Sequence, residues 1–439
     1  MDPGALAALI LLVSIVLMIA SSTPIAIAIG LSSLLAVIAL VGLEGAVLVT
    51  SQRMFTGINS FPLLAIPFFV LAGVLMNNGG IAGRLIDAAK VLVGRAPGSL
   101  AQTNVVANAM FGAVSGAAVA AAAAVGTVMG PRQAKEGYDP RFSAAVNVAS
   151  APAGMLIPPS NTFIVYSLVS GTSIAALFMA GVGPGLVWVI ACMLVVALYV
   201  ARNRDSIQVS PRVTGKQVLV TLWKAVPSLL MIIIVIGGIL AGLFTATESA
   251  AIAVVYCLVL GFAYRMLKVS ELPGILLDAA RTTAIVMLLV GVSSALSFVM
   301  SFARVPDTIS AGILALTENP TAILVLMMVI LLIVGTFMDP TPAILIFTPI
   351  FLPIVSQFGI DPIHFGTMIV YNLSVGVITP PVGNVLFVGA RVAGLRIEPV
   401  AAKLVPFLLA LIVGLFVVVF LPQLSLWLPT QLGLVATAP

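Results

Sequence analysis

Gly154-Met155-Leu156-Ile157-Pro158-Pro159-Ser160-Asn161 and, 222 residues further on, Gly376-Val377-Ile378-Thr379-Pro380-Pro381-Val382-Gly383-Asn384 are the two stretches that decide the fold. Each sets a glycine, a proline pair and an asparagine in the same order inside an apolar run. A proline pair removes two amide donors and frees carbonyls, and the glycine lets the chain turn sharply. Both stretches therefore read as breaks in helices.

The same offset organises the surroundings. Gly137-Tyr138-Asp139-Pro140 falls on Gly359-Ile360-Asp361-Pro362, and Pro131 on Pro353. With one or two residues of slippage, Arg84 and Asp87 fall on Arg304 and Asp307, and Glu248 falls near the Thr23-Pro24 break. One half of the chain resembles the other, in order.

Composition identifies the solvent. Of 439 residues, 61% are hydrophobic and 8% charged, and the mean hydropathy is +1.26. That leaves too little polar surface to cover a water-soluble globule. Apolar runs near the ~20 residues that cross a bilayer recur from Ala5 to Leu428, as in a polytopic membrane protein. The net charge of +5 then marks cytoplasmic loops rather than a nucleic-acid surface. Cys192 and Cys257 lie in apolar runs and form neither a disulfide framework nor a metal cluster. His364, the single histidine, leaves no His-based metal or nucleophilic constellation. Met1-Asp2-Pro3-Gly4 lacks a basic n-region, so the first apolar stretch reads as a retained helix.

Charge decides how the halves are related. Arg84–Arg95 and Pro131–Arg141 are basic where their counterparts, Arg304–Asn319 and Pro353–His364, are acidic or neutral. Conversely Arg265–Arg281 is basic against Glu44–Asn59, a loop whose one cation is Arg53. By the positive-inside rule the repeats are inverted. Threading the rule through the chain puts both termini outside and leaves every basic residue but Arg53 and Arg304, of 19, on the cytoplasmic side. Residues 98–130 begin and end at basic loops, so they form a re-entrant hairpin with its tip near Ser115-Gly116. A second hairpin at 320–357 has its tip near Asp339. The breaks interrupt helices at 142–170 and 364–392. The division is 1–60, the first helices of the first repeat; 61–201, the part holding the first hairpin and interrupted helix; 202–281, a connecting loop and the first helices of the second repeat; and 282–439, the part holding the second hairpin and interrupted helix.

Unwound chain at membrane depth has to line protein or a wet cavity, since lipid offers its polar groups no partner. Freed carbonyls can ligate a small hard cation such as Na⁺, and the N-terminus of the following half-helix can face an anion. Matched breaks in two halves point to a transporter's binding site. An acid buried at a tip, Asp339, is costly and so is a candidate functional residue; a bound Na⁺ would keep it ionised. Glu248 reads as a helix cap. The Arg84/Asp87 and Arg304/Asp307 segments read as interfacial braces, His364 as exposed outside, and Trp188, Trp223 and Trp427 as a belt near helix ends.

VSGAAVAAAAAVGTVMGP with GYDPRFSAAVNVASAPAGMLIPPSN, then GTFMDPTPAILIFTPIFLPI with VGVITPPVGN, resemble the DctM-like large membrane subunit of tripartite ATP-independent periplasmic (TRAP) transporters over nearly the whole chain. The resemblance implies an all-α, inverted-repeat elevator transporter in the bacterial inner membrane, with N- and C-termini periplasmic. It implies import of an organic acid driven by Na⁺, with a small four-helix membrane subunit and a periplasmic substrate-binding protein as partners. Carried over by position, one Na⁺ site would involve Ser115, Gly116, Gly154 and Ile157, and the other Gly335, Thr336, Asp339, Gly376 and Thr379. The substrate would lie near Pro158, Ser160, Asn161, Thr341, Pro381 and Asn384. Ser115-Gly116-Ala117-Ala118 departs from the family's Ser-Gly-Ser-Ser, which favours carbonyl over side-chain ligation there. Sialic acids, C4-dicarboxylates, keto acids and sugar acids all fit such a gap. A free-standing Na⁺/dicarboxylate or anion transporter is the alternative. An intramembrane enzyme finds no Ser–His, His–Glu or paired-Asp constellation to support it.

Overall fold

The computed structural model describes residues 3–21, 23–94, 98–203, 215–317 and 319–435. Arg95, and Glu318 within the Arg304–Asn319 loop, lie outside the described residues, as does 204–214 between the halves. Apolar segments satisfy their backbone only as helices, and among the described residues there are helices and no strand.

The first half runs α1 (Pro3–Ala20), α2 (Ile25–Ile58), α3 (Ala65–Asn78), α4 (Ile81–Val93), α5 (Ser99–Ser115), α6 (Ala118–Lys135), α7 (Pro140–Ser150), α8 (Ala153–Leu156), α9 (Asn161–Ser170) and α10 (Ile174–Arg202). The second runs α11 (Gly215–Leu240), α12 (Ala246–Ala263), α13 (Leu272–Phe302), α14 (Val305–Leu316), α15 (Pro320–Phe337), α16 (Pro340–Gln357), α17 (Pro362–Gly376), α18 (Asn384–Val392), α19 (Ile397–Phe420) and α20 (Gln423–Gln431). Among the described residues, ten helices are long and apolar enough to cross a membrane. Both arms of the second hairpin are among them, whereas the pieces of the two interrupted helices are too short.

The inverted repeat is visible in the packing. Hairpin α5–α6 sets α6 against α18 of the other half, and hairpin α15–α16 sets α16 against α9. Likewise α5 packs on α7 and α8 as α15 packs on α17, and α3 lies on α12 as α13 lies on α2. The repeated Asp-Pro motif is a helix start in both halves: the Asp139 carboxylate accepts from Arg141 N at 2.9 Å, and that of Asp361 from Ile363 N at 2.7 Å. Proline at the first helical position spares an amide that would lack a partner anyway. Thr245 and Glu248 form a reciprocal capping box at the start of α12, as the cap reading expects.

A polar seam fastens the first hairpin to its interrupted helix. Asn108 Nδ2 donates to Asn147 Oδ1 at 3.0 Å and to Ser150 Oγ at 2.8 Å, while Asn147 Nδ2 donates to the Ala122 carbonyl at 2.7 Å. Inside an apolar bundle such bonds fix which helices pair.

Four expectations are corrected. Glu44–Asn59 is not a loop: α2 continues to Ile58, with Gly42 as its single non-helical residue. Arg265–Arg281 is mostly helical as well, because α13 starts at Leu272. His364 is buried, its Nε2 3.2 Å from the Val419 carbonyl, because α17 is covered by α19 and α20. Trp188 lies mid-helix in α10, fully buried, and donates to the Ala149 carbonyl at 2.9 Å, so it is core rather than belt. Trp223 and Trp427 are exposed.

Candidate functional site

Each hairpin turns where the sequence places its tip. Gly116 closes α5 with φ +61°, a left-handed conformation that costs glycine nothing, and Ala118 starts α6. Met338 and Asp339, both extended, separate α15 from α16, and Asp339 occupies the position before the first turn of α16.

Backbone proximity holds each hairpin to its broken helix. A Cβ on Gly154 would stand 2.1 Å from Gly112 Cα, and one on Gly376 would stand 2.5 Å from Gly335 Cα. The two Gly–Gly contacts are equivalent in the two repeats, and in each the chains touch without side chains between them. In the second half the Gly383 amide also donates to the Thr336 carbonyl at 3.2 Å, tying the end of the break to the hairpin.

The tips converge on one cavity of about 590 Å³. Ser115, Gly116 and Ala118 line it from the first hairpin, Asp339, Pro340 and Thr341 from the second, and Asn161 and Thr162 from the start of α9. Val385, at the start of α18, faces it too. Four helices, α6, α9, α16 and α18, thus turn their N-terminal ends, with the partial positive charge of the helix dipole, toward the same space. Such an arrangement attracts an anion. Asp339 is the negative group among these. It borders the cavity, and the Asn384 side chain lies within its hydrogen-bonding reach.

The other expected residues divide by their surroundings. Ser160 is fully buried, and its hydroxyl donates to the Met155 carbonyl at 2.5 Å while lying 2.7 Å from Thr162 Oγ1, so it caps α9 instead of facing the cavity. Pro158 is buried with it, whereas Pro381 and Asn384 are exposed beyond the second break. Gly154 meets the first hairpin at Gly112, a turn short of Ser115, and Ile157 packs against Gly185 of α10. Thr336 and Thr379 donate their hydroxyls to the carbonyls of Ile333 and Val375, each at 2.7 Å, which leaves oxygen lone pairs free to accept or ligate. Among the described residues no cluster of three His, Cys, Asp or Glu exists, so a hard cation at the second tip would rest on Asp339, hydroxyls and carbonyls.

Residues not foreseen also line the cavity. Asn77 and Asn78, at the end of α3, and Asp278 and Thr282, early in α13, form its opposite wall. The offset comparison passes over them because the matched positions are not identical: Asp278 and Thr282 fall on Thr56 and Ser60, which are polar but different residues. Their only sequence signal is polarity at the end of an apolar run.

Comparison with known proteins agrees with this geometry. Residues 12–424 match the family described as the tripartite ATP-independent periplasmic transporter, DctM component. The chain is similar to the uncharacterized protein YgiK of Salmonella typhimurium, with 53% identity over 96% of this chain and 97% of that one. It is 38% identical to the C4-dicarboxylate TRAP transporter large permease protein DctM of Pseudomonas aeruginosa, over 87% of this chain and 89% of the relative. Its fold is similar to the crystal structure of the YdaH transporter of Alcanivorax borkumensis, at a TM-score of 0.64 and 16% identity, covering 90% of each chain. With inverted halves, two hairpins and two broken helices closing on one cavity, the chain belongs to the DctM family of large membrane subunits of TRAP transporters.

Proposed function

We propose that this subunit imports a small organic acid together with Na⁺, receiving it from a periplasmic binding protein and working beside a small four-helix membrane subunit. The observation that carries the reading is the single cavity onto which four helix N-termini and the Asp339 carboxyl open. A carboxylate suits the N-termini, while Na⁺ suits Asp339 and the oxygen-rich second break; each charge offsets the other, so the pair crosses as a less costly load. No enzymatic step is part of the proposal.

In the proposed mechanism the hairpins and interrupted helices slide against a fixed frame of α1, α2, α11 and α12. Packing of α3 on α12 and of α13 on α2 favours counting those two helices with the frame as well. The charge asymmetry of the loops supports a bacterial inner-membrane orientation with both termini periplasmic. The substrate is an organic acid of a class such as the C4-dicarboxylate named for the Pseudomonas relative.

The test is uptake of a labelled organic-acid panel into proteoliposomes holding this chain and its small subunit, with and without the binding protein, under a Na⁺ or a K⁺ gradient. Uptake that needs both Na⁺ and the binding protein is the expected result, and Asp339→Ala abolishes it while the protein still assembles. Full uptake by Asp339→Ala removes that carboxyl from the mechanism, and uptake by this chain alone overturns the partner assignment.

A further inference from the structure

A second cavity, of about 610 Å³, lies further along α13 and is not part of the tip site. One stripe of α13 lines both: Asp278, Thr282 and Val286 face the tip cavity, and Val290, Ser293, Ser297 and Ser301 face the second. These positions recur every three or four residues and so share a helix face. The far wall is also shared, because Thr341 of α16 borders the first cavity and Leu345 and Pro349 border the second. Thr341 and Pro349 are about 12 Å apart along α16 at the helical rise.

The chemistry of the second cavity is one-sided. Arg53, near the end of α2, is the one charged side chain lining it. Among the described residues Arg53 has no ion pair; its guanidinium rests 4.5 Å from the centre of the Phe298 ring. Ser293 is 2% exposed and its Oγ has no hydrogen-bond partner. Thr56, Ser60, Ser297 and Ser301 add hydroxyls. A guanidinium without an ion pair and an orphaned hydroxyl line one cavity with apolar walls, and the acceptor that matches a guanidinium fork is a carboxylate.

We propose that this cavity is a second anion site, in which Arg53 and the α13 hydroxyls hold the carboxylate of a small organic acid on the side of the protein opposite the tip cavity. The proposal rests on the organic-acid reading above and extends it: the acid is held there before the hairpin tips take it.

Charge-selective thiol labelling tests this without any gradient or Na⁺. Cys192 and Cys257 are both buried, so a thiol introduced by Ser297→Cys is the reactive one. In the complex with the small subunit, the anionic reagent sulfonatoethyl methanethiosulfonate should label it faster, relative to the cationic trimethylammonioethyl reagent, than charge-neutral access would give. Adding Arg53→Gln should lower that anion-to-cation rate ratio by about fivefold, the effect of one unit charge at several ångström in a partly aqueous site. Arg53→Lys should restore most of the ratio, and Thr56→Glu, which places a carboxylate beside an intact Arg53, should lower it independently. Succinate, pyruvate or gluconate should slow labelling when Arg53 is present and not in Arg53→Gln. An unchanged ratio in both Arg53→Gln and Thr56→Glu, no labelling at all, or no protection by any carboxylate overturns the proposal. A protein that transports in the uptake assay but has no charge preference at this thiol refutes the second site alone. One with the preference and carboxylate protection that imports nothing keeps the site and refutes the transport reading.

Discussion

Substituting alanine for Gly154 tests whether the hairpins are held by backbone contact. The added Cβ would lie 2.1 Å from Gly112 Cα, 2.4 Å from its carbonyl carbon and 2.8 Å from its oxygen. Carbon atoms pack comfortably at about 3.5–4.0 Å, so α8 and α5 must part by on the order of 1.5 Å. No side chain is available to rotate away, since every clashing atom is backbone. Overpacking usually costs about 1–3 kcal/mol, and a rigid backbone partner puts Gly154→Ala near 3 kcal/mol. The assay is unfolding by SDS titration in mixed micelles, followed by the fluorescence of Trp188, which bonds to Ala149 one turn before the break. Gly237→Ala is the control: it sits in α11 with nothing within 4 Å of the added carbon, so it should be neutral or stabilising by up to about 1 kcal/mol. Gly376→Ala should repeat the loss in the second half, where Gly335 backbone lies at 2.5 Å. Gly335→Ala combined with Gly376→Ala should cost less than the two separate losses, because both open one contact, whereas Gly154→Ala and Gly376→Ala should add. Gly154→Ala unfolding at the same SDS fraction as Gly237→Ala would refute the reasoning.

Three further outcomes follow from local contacts. Asp139→Ala removes the cap on Arg141 N and the 3.6 Å ion pair to Lys403, and should lower stability by about 1–2 kcal/mol while leaving the Na⁺ dependence of uptake intact; altered Na⁺ dependence would place Asp139 in the transport cycle. Trp188→Phe leaves the Ala149 carbonyl without its indole donor and should cost about 1–3 kcal/mol in an SDS titration followed by circular dichroism, so a wild-type midpoint would contradict the buried bond. Tyr138, in the turn before α7, has its phenol pushed up to about 12 by burial and then by the charge of Glu136. A folded pKa above the unfolded value of about 10 means its stabilisation is whole below pH 10 and lost as pH rises toward 12, by up to about 2 kcal/mol. Tyr138→Phe should therefore narrow the gap in SDS midpoint between pH 9 and pH 11.5, and an unchanged gap would show that this phenol does not titrate late.

The repeated elements were legible because they are encoded locally. Asp-Pro specifies a helix start wherever it falls, Pro-Pro cannot continue a helix, and a left-handed Gly116 ends one, so caps, breaks and tips stand where the motifs put them. What was not legible depends on which surface another helix covers. His364 carries the same local signal whether α19 covers it or not, and Trp188 reads equally as belt or core. Ser160 shows the same limit within the site: a serine before a half-helix is both a good cap and a plausible ligand, and packing made it the cap. Asn77, Asn78, Asp278 and Thr282 come into the cavity only through the meeting of α3 and α13 with the hairpins, which no motif records.

The two breaks hold equivalent places in unequal surroundings. Pro158, Pro159 and Ser160 are buried, whereas Pro380, Pro381 and Asn384 are exposed. Because the Gly–Gly contacts and Asp-Pro caps are common to both halves, the fold itself gives little reason for either half to prefer one surrounding over the other. Any preference has to come from what the halves do not share, and at the tips that difference is stark: Ser115-Gly116-Ala117-Ala118 carries no charge, and Met338-Asp339-Pro340-Thr341 carries a carboxylate. A cation that neutralises Asp339 removes most of that difference, and an anion drawn to the N-termini of α6, α9, α16 and α18 acts on both halves together. Under the proposed function, a load of both ions would thus bring the two arrangements closer in energy than the bare protein or a singly loaded one. Bistability would reside in the repeated backbone, and the coupling between the ions in the one residue at the tips that breaks the symmetry.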